Sequence, residues 1–323
     1  MTSATAGTGA VIVADGLHKS YGDVEAVRGL SFSVDAGQIL GLLGPNGAGK
    51  TTAIGMLTTL LPVDGGSARI GGFDVARQPD RVRPLIGLAG QAAAIDEKQT
   101  ARENLELFGR LYKIPRAARR RRTAELIEEF DLGGFADRVA GTYSGGQRRR
   151  LDVVAALVAD PPALFLDEPT TGLDPRSRAA LWDAITRLAD RGTAIVLTTQ
   201  YLEEADRLAD EVLIIDRGTV IASGAPESLK RGLGRDVLQI RVGDGGMPAA
   251  LDLLGRSEDL VVDEPARSIG IPVGDDVPGS LDVLRRLQDR GIPITDFQLR
   301  RPTLDDVFLT LTGSHATRKE AQA

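Results

Sequence analysis

At 323 residues the chain can hold one large domain or two ordinary ones, and a hydrophobic content of 42% is enough for a real core. A net charge of −6 argues against a duplex nucleic-acid partner, and the absence of cysteine excludes a disulfide framework and thiolate metal sites. No stretch approaches the roughly 18–20 apolar residues that span a bilayer, and the small, polar start lacks a signal-peptide pattern, so any membrane role is expected from the aqueous side.

Residues 1–10 read as a disordered tail. Val11-Ile12-Val13 begins the fold, and residues 17–21 and 30–34 read as strands. Tyr21 has two readings: an aromatic plate on which adenine stacks, or an ordinary half-buried strand tyrosine. The turn Asp35-Ala36-Gly37 leads into a short buried strand, 38–43. That strand enters Gly44-Pro45-Asn46-Gly47-Ala48-Gly49-Lys50-Thr51, followed by Thr52, with the G-x-x-x-x-G-K-[ST] spacing of a phosphate-binding loop. Glycines let the backbone curl so that several N–H groups face phosphate oxygens. The helix expected over 52–61, stopped by Pro62, adds the positive end of its dipole. Lys50 would reach the β- and γ-phosphates, and the Thr51 hydroxyl would ligate Mg²⁺.

A turn at 64–67 and a strand at 68–70 follow. Residues 81–87 carry the chain to Leu88-Ala89-Gly90-Gln91. Thr100 with Glu103 forms a capping box, and Leu105, Phe108, Leu111 and Tyr112 then fall at helical spacing. Pro115 breaks that helix. Residues 116–130 form another, with Leu126, Ile127 and Phe130 on its apolar side. Its run Arg119-Arg120-Arg121-Arg122 reads either as a phosphate or lipid-headgroup patch or as a solvated helix face. Tyr143-Ser144-Gly145-Gly146-Gln147 precedes a helix over 148–159, ended by Asp160-Pro161-Pro162.

Ala163-Leu164-Phe165-Leu166 is too short for a buried helix and reads as a central parallel strand. It delivers Asp167 and Glu168 to its carboxyl end, where ligands bind in open α/β sheets. After a loop at 169–174 come a helix over 177–190, a buried strand over 194–198, Gln200 and a helix from Tyr201. A hairpin pairs 212–216 with 219–221. Around Gly232-Leu233-Gly234 the periodicity restarts. Strand 237–242, helix 248–254, paired strands 260–262 and 268–273, helix 278–289, strand 292–300 and helix 303–311 follow. Leu281, Leu284 and Leu287 are expected on one face of the 278–289 helix. The β-α-β-β-α-β order is the ferredoxin-like pattern. Residues 313–323 read as a polar tail.

The chemistry converges on phosphate. A strand-end aspartate, Asp167, would bind Mg²⁺ directly or through water, and the adjacent Glu168 would orient or deprotonate the attacking water. Strand-end carboxylates are also common without such a role. Ser144-Gly145-Gly146-Gln147, a serine and two glycines opening a helix, makes a second anion-binding terminus. One cleft rarely needs two cradles for one triphosphate, so the second would face a nucleotide held by another copy.

Here the sequence resembles the ATP-binding cassette family. Ser144–Gln147 matches its signature motif, 44–52 its phosphate loop, Gln91 its glutamine loop, and Asp167-Glu168 its magnesium and catalytic pair. Gly172-Leu173-Asp174 matches its dimer-contact loop, and Tyr21 its adenine-stacking aromatic. The match covers roughly residues 11–230. The resemblance implies a P-loop NTPase cassette over 11–232, in the α/β class. It would have a mixed sheet core, an antiparallel β subdomain and a helical subdomain over about 92–159, followed by a small α+β domain over 235–312. It also implies that Gln91 touches both nucleotide and Mg²⁺. One position departs. The family's switch residue after strand 194–198 is usually histidine, and here it is Gln200, whose amide donates a hydrogen bond but carries no charge.

The string from Gln200 to Asp206 and the string Arg301-Pro302-Thr303-Leu304-Asp305-Asp306-Val307-Phe308 resemble the daunorubicin/doxorubicin-resistance group of exporter ATPases. That likeness implies an ATPase with Glu168, Gln200 and Lys50 as catalytic residues and ATP and Mg²⁺ as ligands. Its partners would be a second copy of itself and a separately encoded membrane permease, with no nucleic acid and no insertion into the bilayer. It would sit peripherally on the cytoplasmic face of the membrane. The rival readings are an importer subunit and a soluble cassette protein acting on nucleic acid or ribosomes.

Overall fold

The computed structural model describes residues 9–90, 94–232, 236–243, 245–255, 260–263, 265, 267–272, 277–300 and 303–308. Two compact units divide the chain, Met1–Pro226 and Glu227–Ala323.

The first unit starts with a long hairpin, β1 (Ala10–Tyr21) and β2 (Val24–Asp35), then β3 (Ile39–Leu43), α1 (Lys50–Leu57), β4 (Gly65–Ile70), β5 (Phe73–Asp74), the single turn α2 (Pro79–Val82) and β6 (Ile86–Ala89). The helices α3 (Ala101–Leu111), α4 (Arg116–Glu129) and α5 (Gly145–Ala156) follow. It closes with β7 (Ala163–Asp167), α6 (Pro175–Asp190), β8 (Ala194–Thr199), α7 (Leu202–Leu208), β9 (Glu211–Asp216) and β10 (Thr219–Gly224).

Its main sheet has the order β10-β9-β3-β8-β7-β6, parallel except for the β9–β10 hairpin. Every residue of β3, β7 and β8 is buried, which explains their near-continuous apolar sequences. Alternate residues feed two cores. Leu164, Leu166, Ile195 and Leu197 join the core shared with α5 and α6. Ala163, Phe165, Ala194 and Val196 join the core shared with α1 and the antiparallel sheet β2-β1-β4-β5. Each fully buried Leu, Ile or Phe contributes about 1.5–3 kcal/mol relative to exposure, so the central strands fix where their loops emerge.

Several boundaries differ from expectation. Helix α1 begins at Lys50 and ends at Leu57, ahead of Pro62. Thr59 takes a left-handed conformation (φ 62°), and the N–H groups of Leu60 and Leu61 both donate to Gly55 O at 2.9 Å, which closes the helix early. Strand β6 occupies part of what reads as a connection, an edge strand of four residues paired with β7. Helix α5 starts at Gly145, not Arg148. Tyr21 ends β1, which begins at Ala10 and runs without a break through what reads as two pieces, 11–13 and 17–21.

The capping box that opens α3 is formed in both directions: Glu103 N donates to Thr100 Oγ1 at 3.1 Å, and Thr100 N to Glu103 Oε2 at 2.8 Å. Tyr143 ties the helical region together. Its hydroxyl donates to Phe135 O at 2.7 Å and accepts from Ala101 N at 3.2 Å. The arginine run on α4 is not one uniform face. Arg122 reaches Leu157 O and Asp160, Arg119 reaches Ile114 O, and Arg121 pairs with Glu125. At least three of the four guanidiniums are therefore engaged within the chain.

After α8 (Pro226–Gly232), the second unit runs β11 (Val237–Val242), α9 (Gly246–Leu254), β12 (Val261–Asp263), β13 (Ser268–Pro272), α10 (Val277–Asp289) and β14 (Ile294–Arg300), then a helical turn at 304–308. Its sheet order β12-β13-β11-β14, antiparallel throughout, is the ferredoxin-like arrangement. Leu238, Ile240, Val242 and Leu287 lie in its core. Leu281, expected beside Leu287, is 57% exposed, so the α10 stripe is narrower than its leucine spacing implies.

Candidate functional site

The loop between β3 and α1 is shaped by close backbone approaches. Gly49, the residue before α1, has φ 105°, and a Cβ there would overlap Ala26 O of β2. A Cβ on Gly44 would overlap Ile215 O of β9. The loop is thus pinned between two strands. No side chain caps α1, so its first-turn N–H groups lack acceptors within the helix. They face a cavity of about 390 Å³ lined by residues 46–52 with Ala26 and Glu168. Backbone N–H groups around an open cavity at a helix N-terminus form an anion site.

Lys50 is buried, and its Nζ donates to Gly44 O at 2.6 Å and to Pro45 O at 3.1 Å. It stands 3.8 Å from Glu168 Oε1. Burial pushes the Lys50 ammonium below its ordinary pKa, while Glu168 and Asp167 oppose that shift.

Strand β7 brings both carboxylates to this cavity. Asp167 Oδ1 accepts from Thr198 Oγ1 at 2.6 Å and from Thr51 Oγ1 at 3.2 Å, which joins β7, β8 and the phosphate loop at one oxygen. The next residue turns sharply. Glu168 has φ 50°, a conformation that costs a non-glycine residue about 1–3 kcal/mol. It is held there by Glu168 N donating to Thr198 Oγ1 at 3.0 Å, and its Oε2 accepts from Thr171 Oγ1 at 3.2 Å. Among the described residues no group of three or more His, Cys, Asp or Glu is placed to hold a metal ion alone. One hydroxyl and one carboxylate converging on a phosphate cradle suit Mg²⁺, which takes few protein oxygens and completes its octahedron with substrate phosphates and water.

Ser144 and Gln147 sit elsewhere. Ser144 caps α5 by accepting from Gln147 N at 3.2 Å, and Ser144 N donates to Gln147 Oε1 at 3.1 Å. Gly146 is packed so closely on α6 that a Cβ there would fall 2.6 Å from Ser177 Oγ. Asp174 caps α6, accepting from Ser177 N at 3.0 Å and Ser177 Oγ at 2.6 Å, and these bonds hold its carboxyl below the usual range. Ser144, Gln147 and Ser177 border a second cavity of about 560 Å³, which shares no lining residue with the first.

The remaining candidates are less tightly placed. Gln200 follows β8 directly and is half-buried. Tyr21 is 50% exposed at the tip of the β1–β2 hairpin, with Lys19 Nζ 5.6 Å from its ring centre, and it does not line the phosphate-loop cavity. Gln91 lies outside the described residues.

A buried carboxylate on α7 escaped the sequence reading. Glu204 of α7 is fully buried, and Trp182 Nε1 of α6 donates to its Oε1 at 3.1 Å. Its Oε2 and the Thr170 hydroxyl are buried without a hydrogen bond of good geometry. The available signal was a carboxylate four residues before Leu208, on the apolar side of α7. Burial raises the Glu204 pKa, opposed by Thr199, Trp182 and Thr170. The folded chain therefore holds this proton more tightly than the unfolded one. The resulting stability is complete below the unfolded pKa and is lost as pH rises through the folded one. Thermal unfolding of Glu204→Gln against wild type is expected to show a difference, variant minus wild type, that grows as pH rises above the ordinary glutamate pKa. A pH-independent difference would contradict it.

Comparison with known proteins gives the family. The ABC transporter family model matches residues 27–171, and the model described as ATP-binding protein DrrA1-3-like, C-terminal domain, matches residues 224–312. The daunorubicin resistance ATP-binding protein DrrA2 of Streptomyces coeruleorubidus is 48% identical over 97% of this chain and 98% of its own. The daunorubicin/doxorubicin resistance ATP-binding protein DrrA of Streptomyces peucetius is 47% identical over 96% of this chain and 95% of its own. A solved ATP-binding subunit of an ABC transporter superposes with a TM-score of 0.63 at 29% identity, over 69% of this chain and 93% of that one. The chain belongs to the ABC transporter family, as an ATP-hydrolysing subunit of the daunorubicin/doxorubicin-resistance type.

Proposed function

We propose that this ATPase drives export of a hydrophobic, antibiotic-like compound through a separate membrane permease. Two copies close around two ATP molecules at the cytoplasmic face. The observation that carries this reading is the separation of the two phosphate cradles. The cavity at 46–52 and the cavity bordered by Ser144 and Gln147 share no lining residue, so an ATP held at Lys50 leaves Ser144 open to the nucleotide of another chain. A second copy completes both.

In each composite site the α1 N-terminus and Lys50 bind the phosphates of one chain's ATP, with Tyr21 stacking its adenine. Ser144, Gly145, Gly146 and Gln147 of the other chain approach from the opposite side, with Asp174 beside them. Thr51 and Asp167, with Gln91 as the family resemblance implies, would hold Mg²⁺, which would draw charge from the phosphates. Glu168, in its strained turn, orients the attacking water and accepts its proton. Thr198 donates to Asp167 and so fixes the orientation of that carboxylate. Gln200 donates from its neutral amide toward the γ-phosphate or the water.

The exported class follows the names of the relatives. The full chain is expected to copurify with an integral membrane protein and, with it, to support ATP-dependent daunorubicin accumulation in inside-out vesicles. ATP-driven transport in the opposite direction, or salt-sensitive nucleic-acid binding without a membrane partner, would overturn the exporter reading.

A further inference from the structure

Arg149 lies five residues after the α5 cap, on the helix whose N-terminus is the Ser144 cradle. Its side chain is 11% exposed, and each of its three guanidinium nitrogens donates a hydrogen bond. Nε donates to Pro169 O at 2.9 Å and Nη2 to Asp167 O at 2.9 Å. Nη1 donates to Asp152 Oδ2 at 3.1 Å and also to Gly90 O. Asp152 is 3% exposed, and its other oxygen accepts from Ala94 N at 2.9 Å.

The choice of acceptors matters more than their number. Asp167 O and Pro169 O are the carbonyls on either side of Glu168. Gly90 directly follows β6, which pairs with β7, and Ala94 lies four residues further along the chain. One rigid, planar fork on the signature helix therefore grips the backbone around the proposed catalytic carboxylate. A buried ion pair is weak support for stability, because desolvation offsets its attraction, and an apolar pair would pack α5 as well. The pair is better explained by what it holds in place.

We propose that Arg149, braced by Asp152, is a positioning residue that makes the Ser144 cradle and Glu168 of one chain move as a unit. This rests on the two-chain ATPase reading above. Phosphate engaged at Ser144 belongs to one composite site, and Glu168 belongs to the other. A small displacement of α5 on closure is carried by the guanidinium to Asp167 O and Pro169 O, and so to the left-handed turn at Glu168. Each site thereby senses whether the other is filled, and ATP hydrolysis becomes cooperative in ATP.

The test compares the full-length chain with an Arg149→Gln, Asp152→Asn double variant and with Arg149→Lys. The double change avoids leaving one buried charge unpaired. Lysine keeps the charge opposite Asp152, but its single ammonium cannot span Asp167 O, Pro169 O and Gly90 O. Both variants are expected to bind ATP–Mg²⁺ within about twofold of wild type, while kcat falls by about 10- to 100-fold. The Hill coefficient for ATP should fall toward about 1.

Unchanged kcat and Hill coefficient in the double variant overturn the proposal. So does full recovery with lysine, which would make Arg149 a counter-charge only. A parallel fall in ATP affinity, kcat and unfolding temperature, or failure of both variants to fold, assigns the pair to the core and also overturns it. If only the double variant fails to fold, the lysine variant decides. A wild-type chain without ATPase activity would instead sink the reading on which this rests.

Discussion

Glu168→Gln is expected to lower kcat by about 10²- to 10⁴-fold while leaving ATP binding intact. The two side chains are nearly isosteric, and a glutamine oxygen can still accept from Thr171 Oγ1, as Glu168 Oε2 does at 3.2 Å. The backbone turn at φ 50° strains both residues alike, so the fold should not distinguish them. What disappears is a proton acceptor aimed into the cavity. The substitution also removes a negative charge 3.8 Å from Lys50 Nζ. That frees the ammonium for phosphate, so ATP affinity should hold or tighten. Binding without hydrolysis leaves the closed state no exit, and a nucleotide-dependent dimer should accumulate. Steady-state phosphate release, ATP titration and light scattering with ATP–Mg²⁺ check the three parts separately. Ordinary turnover in this variant would take Glu168 out of the catalytic role, whatever became of the dimer.

The parts of this site that are local in sequence were legible, and the parts that exist only through packing were not. The phosphate loop and the strand before Asp167 announce themselves because glycine spacing and a short apolar run are local requirements of their conformations. The start of α5 was obscured by Gly145 and Gly146, which are poor helix formers and hide a helix that Ser144 and Gln147 cap reciprocally. Asp152 looks like an ordinary polar interruption between Leu151 and Val153. Only the fold shows it facing Arg149 and Ala94 N. Glu204 is the same lesson on α7, since nothing local marks Trp182, twenty-two residues earlier, as its partner. Leu281 errs the other way: its spacing places it in the core stripe of α10, yet it is 57% exposed while Leu287 is buried. Charge on an apolar helix face is therefore the most informative anomaly in this sequence, and it marks both groups that the motifs missed.

Gly49→Ala is expected to weaken ATP binding by about 100-fold or more, because the donors that face the phosphates are the ones displaced. Two costs coincide at this residue. Its φ of 105° is one that alanine rarely adopts, and the new Cβ would overlap Ala26 O, a backbone atom of β2 that cannot swing aside. Relief requires the loop to lift from the strand, carrying Lys50 and the first turn of α1 with it. Neighbouring glycines separate the two costs. Gly47 has φ 82° but no atom within 4 Å of the added Cβ, so alanine there meets strain without a clash. Gly44 meets Ile215 O but has no positive φ, so alanine there meets a clash without left-handed strain. Strain of about 1–3 kcal/mol and overpacking of a similar size translate to roughly 5–20 °C of unfolding temperature for Gly49→Ala. Gly47→Ala and Gly44→Ala should each lose less. Calorimetry on the three variants gives the order, and ATP titration shows whether binding follows the clash. If Gly49→Ala unfolds no earlier than Gly47→Ala, the contact with Ala26 is not what holds the loop, and the anion site must draw its shape from elsewhere.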